Sequence, residues 1–373
     1  MKKKYFFILL LSLMITIIGF SSAYAEGTNQ ASRQDMNSYK GYTDAKGKVI
    51  KLEPNNRVDV KIISGKYKGQ TLEVDDLKQF KTTDSNGSTI GAKVGDEVYL
   101  SIQQDDDGNI KNALIYDYIR YKPIIIVIVI FVILLALIGG VKGIKSLIPL
   151  VLTAFSIVKI VVPAIEKGMN PVLISVIVCI GLLVINLLII SGINKKTAAA
   201  IIGSIFGIIS STVLMFITGS SMKIIGIGDE QVEVLMSIFS SNNINFKGVL
   251  FAGIILGTLG ALIDISISIA SAMNEIYETN PNISKREFIK SGMNMGKDII
   301  GAMSNTLILA YAGSSLIVLL IVLSSDLSFI KIVNEDVIAS EIFKALIGSI
   351  GLILSVPCTV ITMAQFKVLS QNK

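Results

Sequence analysis

The sequence predicts a membrane all-α bundle of about seven transmembrane helices, preceded by a small extracytoplasmic β domain. Of the 373 residues, 51% are hydrophobic and only 17% are charged, which is too apolar a composition for an ordinary soluble protein. About seven apolar segments of membrane length follow residue 122. The polar stretch before them contains short alternating runs of the kind that form β-strands.

Residues 1–25 have the features of a secretory signal peptide. Three lysines precede an apolar core from Tyr5 to Phe20, and Ala23, Tyr24 and Ala25 form a small-residue cleavage site. We therefore expect cleavage after residue 25 and a mature N-terminus outside the cell. The alternative is an uncleaved first helix, but the apolar core is short for a membrane span.

Residues 26–121 are expected to form the extracytoplasmic β domain. Glycine, asparagine and aspartate clusters separate four alternating runs, Arg57–Ile63, Gln70–Val74, Glu97–Gln103 and Ile110–Asp117. This pattern predicts an antiparallel, barrel-like module. The stretch contains neither histidine nor cysteine. A binding or scaffolding role therefore fits it better than catalysis, and a cell-surface partner is a candidate ligand.

Residues 122–373 are expected to form a seven-helix transmembrane domain in the plasma membrane, with the lipid bilayer as its surroundings. The predicted spans are Ile124–Ile138, Ile144–Ile165, Val172–Ile190, Ala198–Thr218, Val249–Met273, Ile299–Leu323 and Ala345–Met363. Lysine and arginine concentrate in alternate connections, which places the C-terminus in the cytoplasm. Two outer connections, 226–246 and 330–343, have the apolar spacing of short surface helices.

Several kinds of chemistry are not predicted. The chain has no histidine and only two cysteines, so we expect no histidine- or cysteine-based metal site, no disulfide framework and no cofactor. The net charge of +6 lies mostly in short loops, so no nucleic-acid partner is expected. No nucleophile with a paired base is recognisable, which favours a protein that is not an enzyme. Catalysis on membrane substrates would require Asp264, Asp298 and Asn305 to converge.

The fifth span carries the main candidate site. At about 100° per residue, its small and acidic residues fall on one helix face. They are Gly253, Gly257, Gly260, Asp264, Ser268, Ser271 and Glu275. A carboxylate in hydrocarbon is costly, so Asp264 is expected to face the protein interior or a wet cavity. We expect this face to pack against neighbouring helices. The opposite face, expected to meet lipid or apolar partners, contains Ile255, Leu259, Leu262 and Ile269.

The sixth span supplies the expected partner of Asp264. One side of it carries most of its polar residues, with Thr306 beside them, and the residues of that side are Asn294, Lys297, Asp298, Gly301, Asn305, Ile308 and Ala312. Asp298 lies near the helix start, where the helix dipole favours a carboxylate. The deeper Asn305 and Thr306 either join helices by hydrogen bonds or solvate a passing proton or cation. Lys159 of the second span is an alternative partner for Asp264.

Two long strings, GTLGALIDISISIASAMNEIYETNP and SGMNMGKDIIGAMSNTLILAYAGSSL, resemble the YibE/F-like family of bacterial multi-pass membrane proteins. Together with the signal peptide and the β domain, the resemblance covers essentially the whole chain. It implies a plasma-membrane protein of this layout and brings no biochemical activity with it. At the matching positions it implies a set of recurrent polar residues, Asp264, Ser268, Ser271, Glu275, Asn294, Asp298, Asn305 and Thr306.

The sequence leaves two functional hypotheses. The first is a transporter or permease for a small solute or ion, with a polar path between the fifth and sixth spans and an intramembrane carboxylate. The second is a non-transporting membrane scaffold or sensor that acts through its β domain. Asp264 separates them, because its replacement by asparagine would stop coupled movement under the first hypothesis and alter only stability under the second.

Overall fold

A computed structural model of the chain describes residues 42–53, 57–75, 80–83, 89–105, 109–224, 245–324 and 327–371. The predicted signal peptide and nearly all of the predicted outer connection 226–246 lie outside these ranges. The chain divides into two compact units, Met1–Ile133 and Leu134–Lys373.

The first unit contains the β domain, and its strands close into a barrel. The strands are β1 (Tyr42–Glu53), β2 (Arg57–Ile62), β3 (Thr71–Asp75), β4 (Phe80–Thr83), β5 (Thr89–Ile90), β6 (Glu97–Gln104) and β7 (Ile110–Tyr118). The barrel order is β1-β2-β3-β7-β6, and β4 and β5 form a separate two-stranded sheet. Within the barrel β3 and β7 pair in parallel and the other pairs are antiparallel. A five-stranded Greek-key barrel of this kind is the architecture of the OB-fold.

Strand alternation fills the barrel interior. In β6 the inward residues Val98, Leu100 and Ile102 are fully buried, as the two-residue period of a strand requires. Gly47 of β1 lies where a Cβ atom would collide with the side chain of Val60. The predicted β region is therefore confirmed, and four of its strands were located by their alternating runs.

The barrel core gives a test of this packing. We expect Ile102→Val to destabilise the barrel by about 0.5–1.5 kcal/mol, because a buried methylene is lost from a site with no exposed surface. Ile50→Val is the matched control, since the Ile50 side chain is 44% exposed. Hydrogen exchange of the β6 amides in the intact protein, followed in increasing denaturant, measures the free energy of unfolding of the barrel in both variants. An equal shift for the two variants would contradict the barrel packing.

The rest of the described chain is helical. The helices are α1 (Tyr121–Val141), α2 (Gly143–Glu166), α3 (Pro171–Ser191), α4 (Lys195–Ser221), α5 (Phe246–Thr279), α6 (Lys285–Ser314), α7 (Leu316–Leu323), α8 (Phe329–Asn334) and α9 (Asp336–Gln371). Six of them, α1 to α5 and α9, are long and apolar enough to cross a membrane. The pair α6 and α7 passes the same criterion together, which gives up to seven spans. This range includes the predicted number.

Side-chain caps fix where several helices begin. Asn170, Asn194 and Asn245 accept hydrogen bonds from backbone amides in the first turns of α3, α4 and α5. Ser284 and Glu287 form a capping box at the start of α6. α6 thus begins at Lys285, before the predicted start of the sixth span at Ile299. Near the end of α1, Gly140 has φ +54° and ψ −138°, a conformation that glycine tolerates best.

Two helices differ from the predicted spans at the end of the chain. The predicted sixth span Ile299–Leu323 is broken at Ser315, where α6 and α7 meet at 63°. The predicted surface helix at 330–343 is only partly separate, because α8 ends at Asn334 and α9 begins at Asp336. The last span therefore starts before the predicted Ala345.

The helical unit is held together by close contact between α4 and α9. A Cβ atom at Gly207 would lie 2.9 Å from the carbonyl oxygen of Gly351, and one at Gly203 would lie 3.1 Å from that of Ser355. Contacts of this length require small residues on both helices. At the far end of α9, Lys367 donates a hydrogen bond to the Ile283 carbonyl and ties this helix to the turn between α5 and α6.

Candidate functional site

The structure turns the small and acidic face of α5 outward. The exposed residues of this face are Gly253, Gly257, Gly260, Asp264, Ser268 and Glu275, and Ser271 is half-buried. The opposite face is the buried one, and its four predicted residues Ile255, Leu259, Leu262 and Ile269 are at most 2% exposed. Within the described helices, the buried face of α5 is therefore the large aliphatic one, and the small-residue face contacts a neighbouring helix at Gly257.

The large side chains of α5 are buried because other helices supply the small residues. A Cβ atom at Gly207 of α4 would lie 2.6 Å from Leu262 Cδ2, and one at Gly296 of α6 would lie 3.8 Å from Ile269 Cδ1. Ser204 of α4 also donates a 3.0 Å hydrogen bond to the Leu262 carbonyl. Sequence reasoning missed these positions, although Gly203, Gly207 and a serine at position 211 show the four-residue spacing of a small-residue seam.

Most of the glycines of α5 and α6 that were predicted to pack against neighbouring helices have open space beside them. A Cβ atom at Gly253, Gly260 or Gly301 would meet no atom within 4 Å among the residues that the structure describes. Gly257 is different, because its Cβ would lie 2.6 Å from the hydroxyl oxygen of Tyr311 on α6. Only this one of the four predicted packing glycines touches a neighbouring helix in the described ranges.

The predicted polar face of α6 also points away from the bundle. Its exposed residues are Asn294, Asp298, Gly301, Asn305 and Thr306. The side of α6 that faces the bundle contains Phe288, Gly292, Gly296 and Leu307. Thr306 donates its hydroxyl to the carbonyl of Ala302 in the same helix, at 2.9 Å. Thr306 therefore makes no hydrogen bond across helices within the described part of the chain.

Asp264 and Asn305 lie at similar levels of the two antiparallel helices. A Cβ atom at Gly292 of α6 would lie 2.6 Å from Met273 Sδ of α5, while Tyr311 of α6 reaches Gly257 of α5. These two contacts fix the register of the helix pair. With a rise of about 1.5 Å per residue, Asp264 falls beside residues about 301 to 305 of α6.

Buried hydroxyl groups line the seam between α5 and α6. Ser304 and Tyr311 lie seven residues apart and so share one face of α6, the face that meets α5 at Gly257. Their hydroxyl oxygens are buried and have no hydrogen-bond partner among the described residues. The register places Ser304 close to the level of Asp264. The seam therefore contains buried hydroxyl groups without hydrogen-bond partners in the described residues, close to the exposed Asp264 carboxylate.

Asp264 has no partner of opposite charge in the described part of the chain. The ion pairs found there include neither Asp264 nor Lys159. The alternative pairing of these two residues is thus not formed. Within the same ranges, no three side chains of His, Cys, Asp or Glu are grouped so that they could hold a metal ion.

The barrel has a second candidate surface, formed by aromatic and basic side chains. Tyr116 is 67% exposed and is the extra residue of a bulge opposite Tyr99. The Lys46 ammonium lies 5.6 Å from the ring centroid of Tyr99 and 5.4 Å from that of Tyr121. These residues form an exposed patch on β1, β6 and β7 that a ligand could reach.

A charged cluster occurs on another strand pair of the barrel. Arg57 of β2 bonds Glu73 and Asp75 of β3, each at 3.1 Å. Hydrogen bonds and charge attraction from Glu73, followed by Asp75, raise the pKa of the Arg57 guanidinium. Because all three side chains are about half exposed, the cluster adds little stability.

Comparison with known proteins identifies a family. A model of the YibE/F-like protein family matches residues 127–368. No curated protein and no solved structure matches the chain. The matched region includes every predicted site residue on α5 and α6 and begins after the barrel.

Proposed function

The chain belongs to the YibE/F-like family, and from its apolar helices and the polar residues of α5 and α6 we propose a plasma-membrane transporter or permease. In this proposal a polar path follows the seam between α5 and α6, and Asp264 binds or relays a proton or cation. The barrel lies outside the cell and the C-terminus lies in the cytoplasm, as the lysine-rich alternate connections favour. The solute is small, and no catalytic step is involved.

The position of Asp264 carries the proposal. This carboxylate lies 18 residues after the start of α5 at Phe246 and 15 before its end at Thr279, far from either helix end. An ionised carboxylate at such a depth is strongly disfavoured by hydrocarbon and is usually found at ion or substrate paths. The buried hydroxyls of Ser304 and Tyr311 also need partners, which water or a passing ion could supply.

The broken sixth span supports the same function. α6 and α7 meet at 63° around Ser315, where the Ser315 amide still donates to the Tyr311 carbonyl at 3.1 Å. Discontinuous helices of this kind often line the binding sites of membrane transporters. The break lies only four residues after Tyr311, whose hydroxyl is part of the α5–α6 seam.

A second candidate function is a membrane sensor or scaffold, and one observation favours it. Tyr99 and Tyr116 are exposed on the barrel, and the Lys46 ammonium lies over the Tyr99 ring, so a ligand could reach these side chains. Tyrosine is also a frequent anchor residue of binding sites. In this alternative the helices hold the barrel at the membrane and Asp264 has no working role.

Flux into lipid vesicles tests the two proposals. Vesicles reconstituted with the native chain should take up protons or alkali cations faster than vesicles without protein, and the Asp264→Asn chain should not. Transport is contradicted if the native chain moves none of the tested ions and gradients of pH and membrane potential drive no solute. The sensor alternative gains support if the Asp264→Asn chain matches the native chain in every activity.

A further inference from the structure

One strip of the helical unit is unlike the rest of its exposed surface. We call it the outer polar strip, and its residues are Gly253, Gly257, Gly260, Asp264, Ser268, Asn294, Asp298, Gly301 and Asn305. All nine are exposed in the single chain. Most other exposed residues of the spans are large and apolar, for example Leu173 and Ile177 of α3, which are 56% and 58% exposed, although Lys159 of α2 and Gly181 of α3 are exposed as well. Those faces suit lipid, whereas the strip does not.

The geometry of the strip favours close approach of another helix surface. Gly253, Gly260 and Gly301 have no atom within 4 Å of their Cβ positions in the described residues. Helices in a membrane associate through tight packing and hydrogen bonds, and small residues allow their backbones to approach. A protein surface can therefore cover the strip at short range and remove its polar groups from lipid.

We propose that a second copy of this chain covers the outer polar strip, so that the path along the α5–α6 seam is bordered on its open side by the other copy. The part of this inference that concerns the path depends on the proposed function. The resulting interface contains α5 and α6 from each copy, related by a two-fold axis along the membrane normal. An interface of this type is self-complementary and closes at two copies.

The chemistry of the strip identifies the second copy as the occupant. Two copies inserted in the same orientation bring groups of equal depth together, and Asp264 and Asn305 lie at similar levels. Across the two-fold axis, the Asp264 carboxylate of one copy would accept a hydrogen bond from the amide of the partner's Asn305, and the reverse pair would also form. Each copy thus supplies one acceptor and one donor to the other.

Cysteine cross-linking in native membranes tests the interface. In a Cys179→Ala, Cys358→Ala background, Gly253→Cys should form a disulfide-linked dimer under mild oxidation, since the two Cα atoms would approach within about 7 Å. Ile177→Cys on α3 is the matched control. A Cβ atom at Gly248 of α5 would lie 3.2 Å from Pro171 Cδ of α3, so positions 253 and 177 have nearly the same depth. The control should remain monomeric.

Two further variants cover the case in which residue 253 itself is badly placed for cross-linking. Gly260→Cys and Gly301→Cys sample the strip on α5 and on α6, and at least one of the three strip positions should cross-link to a dimer. Monomer at all three positions, or equal dimer yield at Ile177→Cys, would overturn the inference. A cross-link to a different polypeptide would overturn it in favour of another partner.

The outcome of the cross-linking experiment can be distinguished from the outcome of the flux test. Dimers without any flux would leave the interface standing and reject transport. Flux without cross-linking at the strip would reject the interface and leave transport standing. Neither outcome depends on knowing the solute.

Discussion

Asp264→Asn is expected to abolish coupled flux while the yield and thermal stability of the protein stay unchanged. Asparagine preserves the shape of the side chain but cannot ionise, so it cannot exchange a proton or balance a cation. Asp264 is exposed and takes part in none of the ion pairs in the described residues, so the fold does not depend on its charge. We expect a loss of about 100-fold or more, comparable to removal of an acid–base group.

The same substitution elsewhere in the chain provides the control. Asp59→Asn on β2 of the barrel removes one negative charge and should leave flux unchanged. Uptake by vesicles at matched protein density compares the native chain with both variants. Full activity of Asp264→Asn would reject a working role for this carboxylate.

Gly203→Val is expected to have the largest effect on stability. A Cβ atom at Gly203 would collide with the Thr359 hydroxyl and lie 3.1 Å from the Ser355 carbonyl oxygen, so α4 and α9 would have to separate. Overpacking typically costs about 1–3 kcal/mol and occasionally more. We expect the upper end of this range or beyond, because one of the two contacts is with backbone.

Gly181→Val is the matched control for this prediction. Gly181 lies inside α3, and a Cβ atom there would meet nothing within 4 Å among the described residues. Valine is also the better helix former, so the control should melt no lower than the native chain. In a Cys358→Ala background, the buried thiol of Cys179 provides the readout, since it should react with a fluorogenic maleimide only on unfolding. Equal melting temperatures for the two variants would contradict the close contact of α4 and α9.

Local patterns predicted the positions of most elements. The run Glu97–Gln103 corresponds to β6 at Glu97–Gln104, and the segment Val172–Ile190 corresponds to α3 at Pro171–Ser191. Alternation and apolar length are properties of the segment itself and can be read from the segment alone. β1 was not predicted, because exposed Ile50 and Leu52 and a shift of register near Lys51 interrupt its alternation.

Which face of α5 is buried could not be predicted from the sequence of α5 alone. In water the apolar face of a helix is buried, but in a membrane both the bundle interior and the lipid accept leucine and isoleucine. Leu262 and Ile269 are buried because Gly207 of α4 and Gly296 of α6 leave room for them. Their positions therefore depend on pairs of helices. The sequence did place Asp264 and Asn305 on polar faces, and the structure shows both faces exposed.

The most direct test of a polar path is the reaction of single cysteines with a charged, water-soluble thiol reagent. The two positions are Asn305→Cys on the outer polar strip and Ile185→Cys, an exposed position in the interior of α3, each in the Cys179→Ala, Cys358→Ala background. We predict that the cysteine at 305 reacts readily in intact membranes, since water reaches it, and that the one at 185 stays unreacted in lipid. If the cysteine at 305 is as unreactive as the one at 185, no aqueous path runs along α5 and α6.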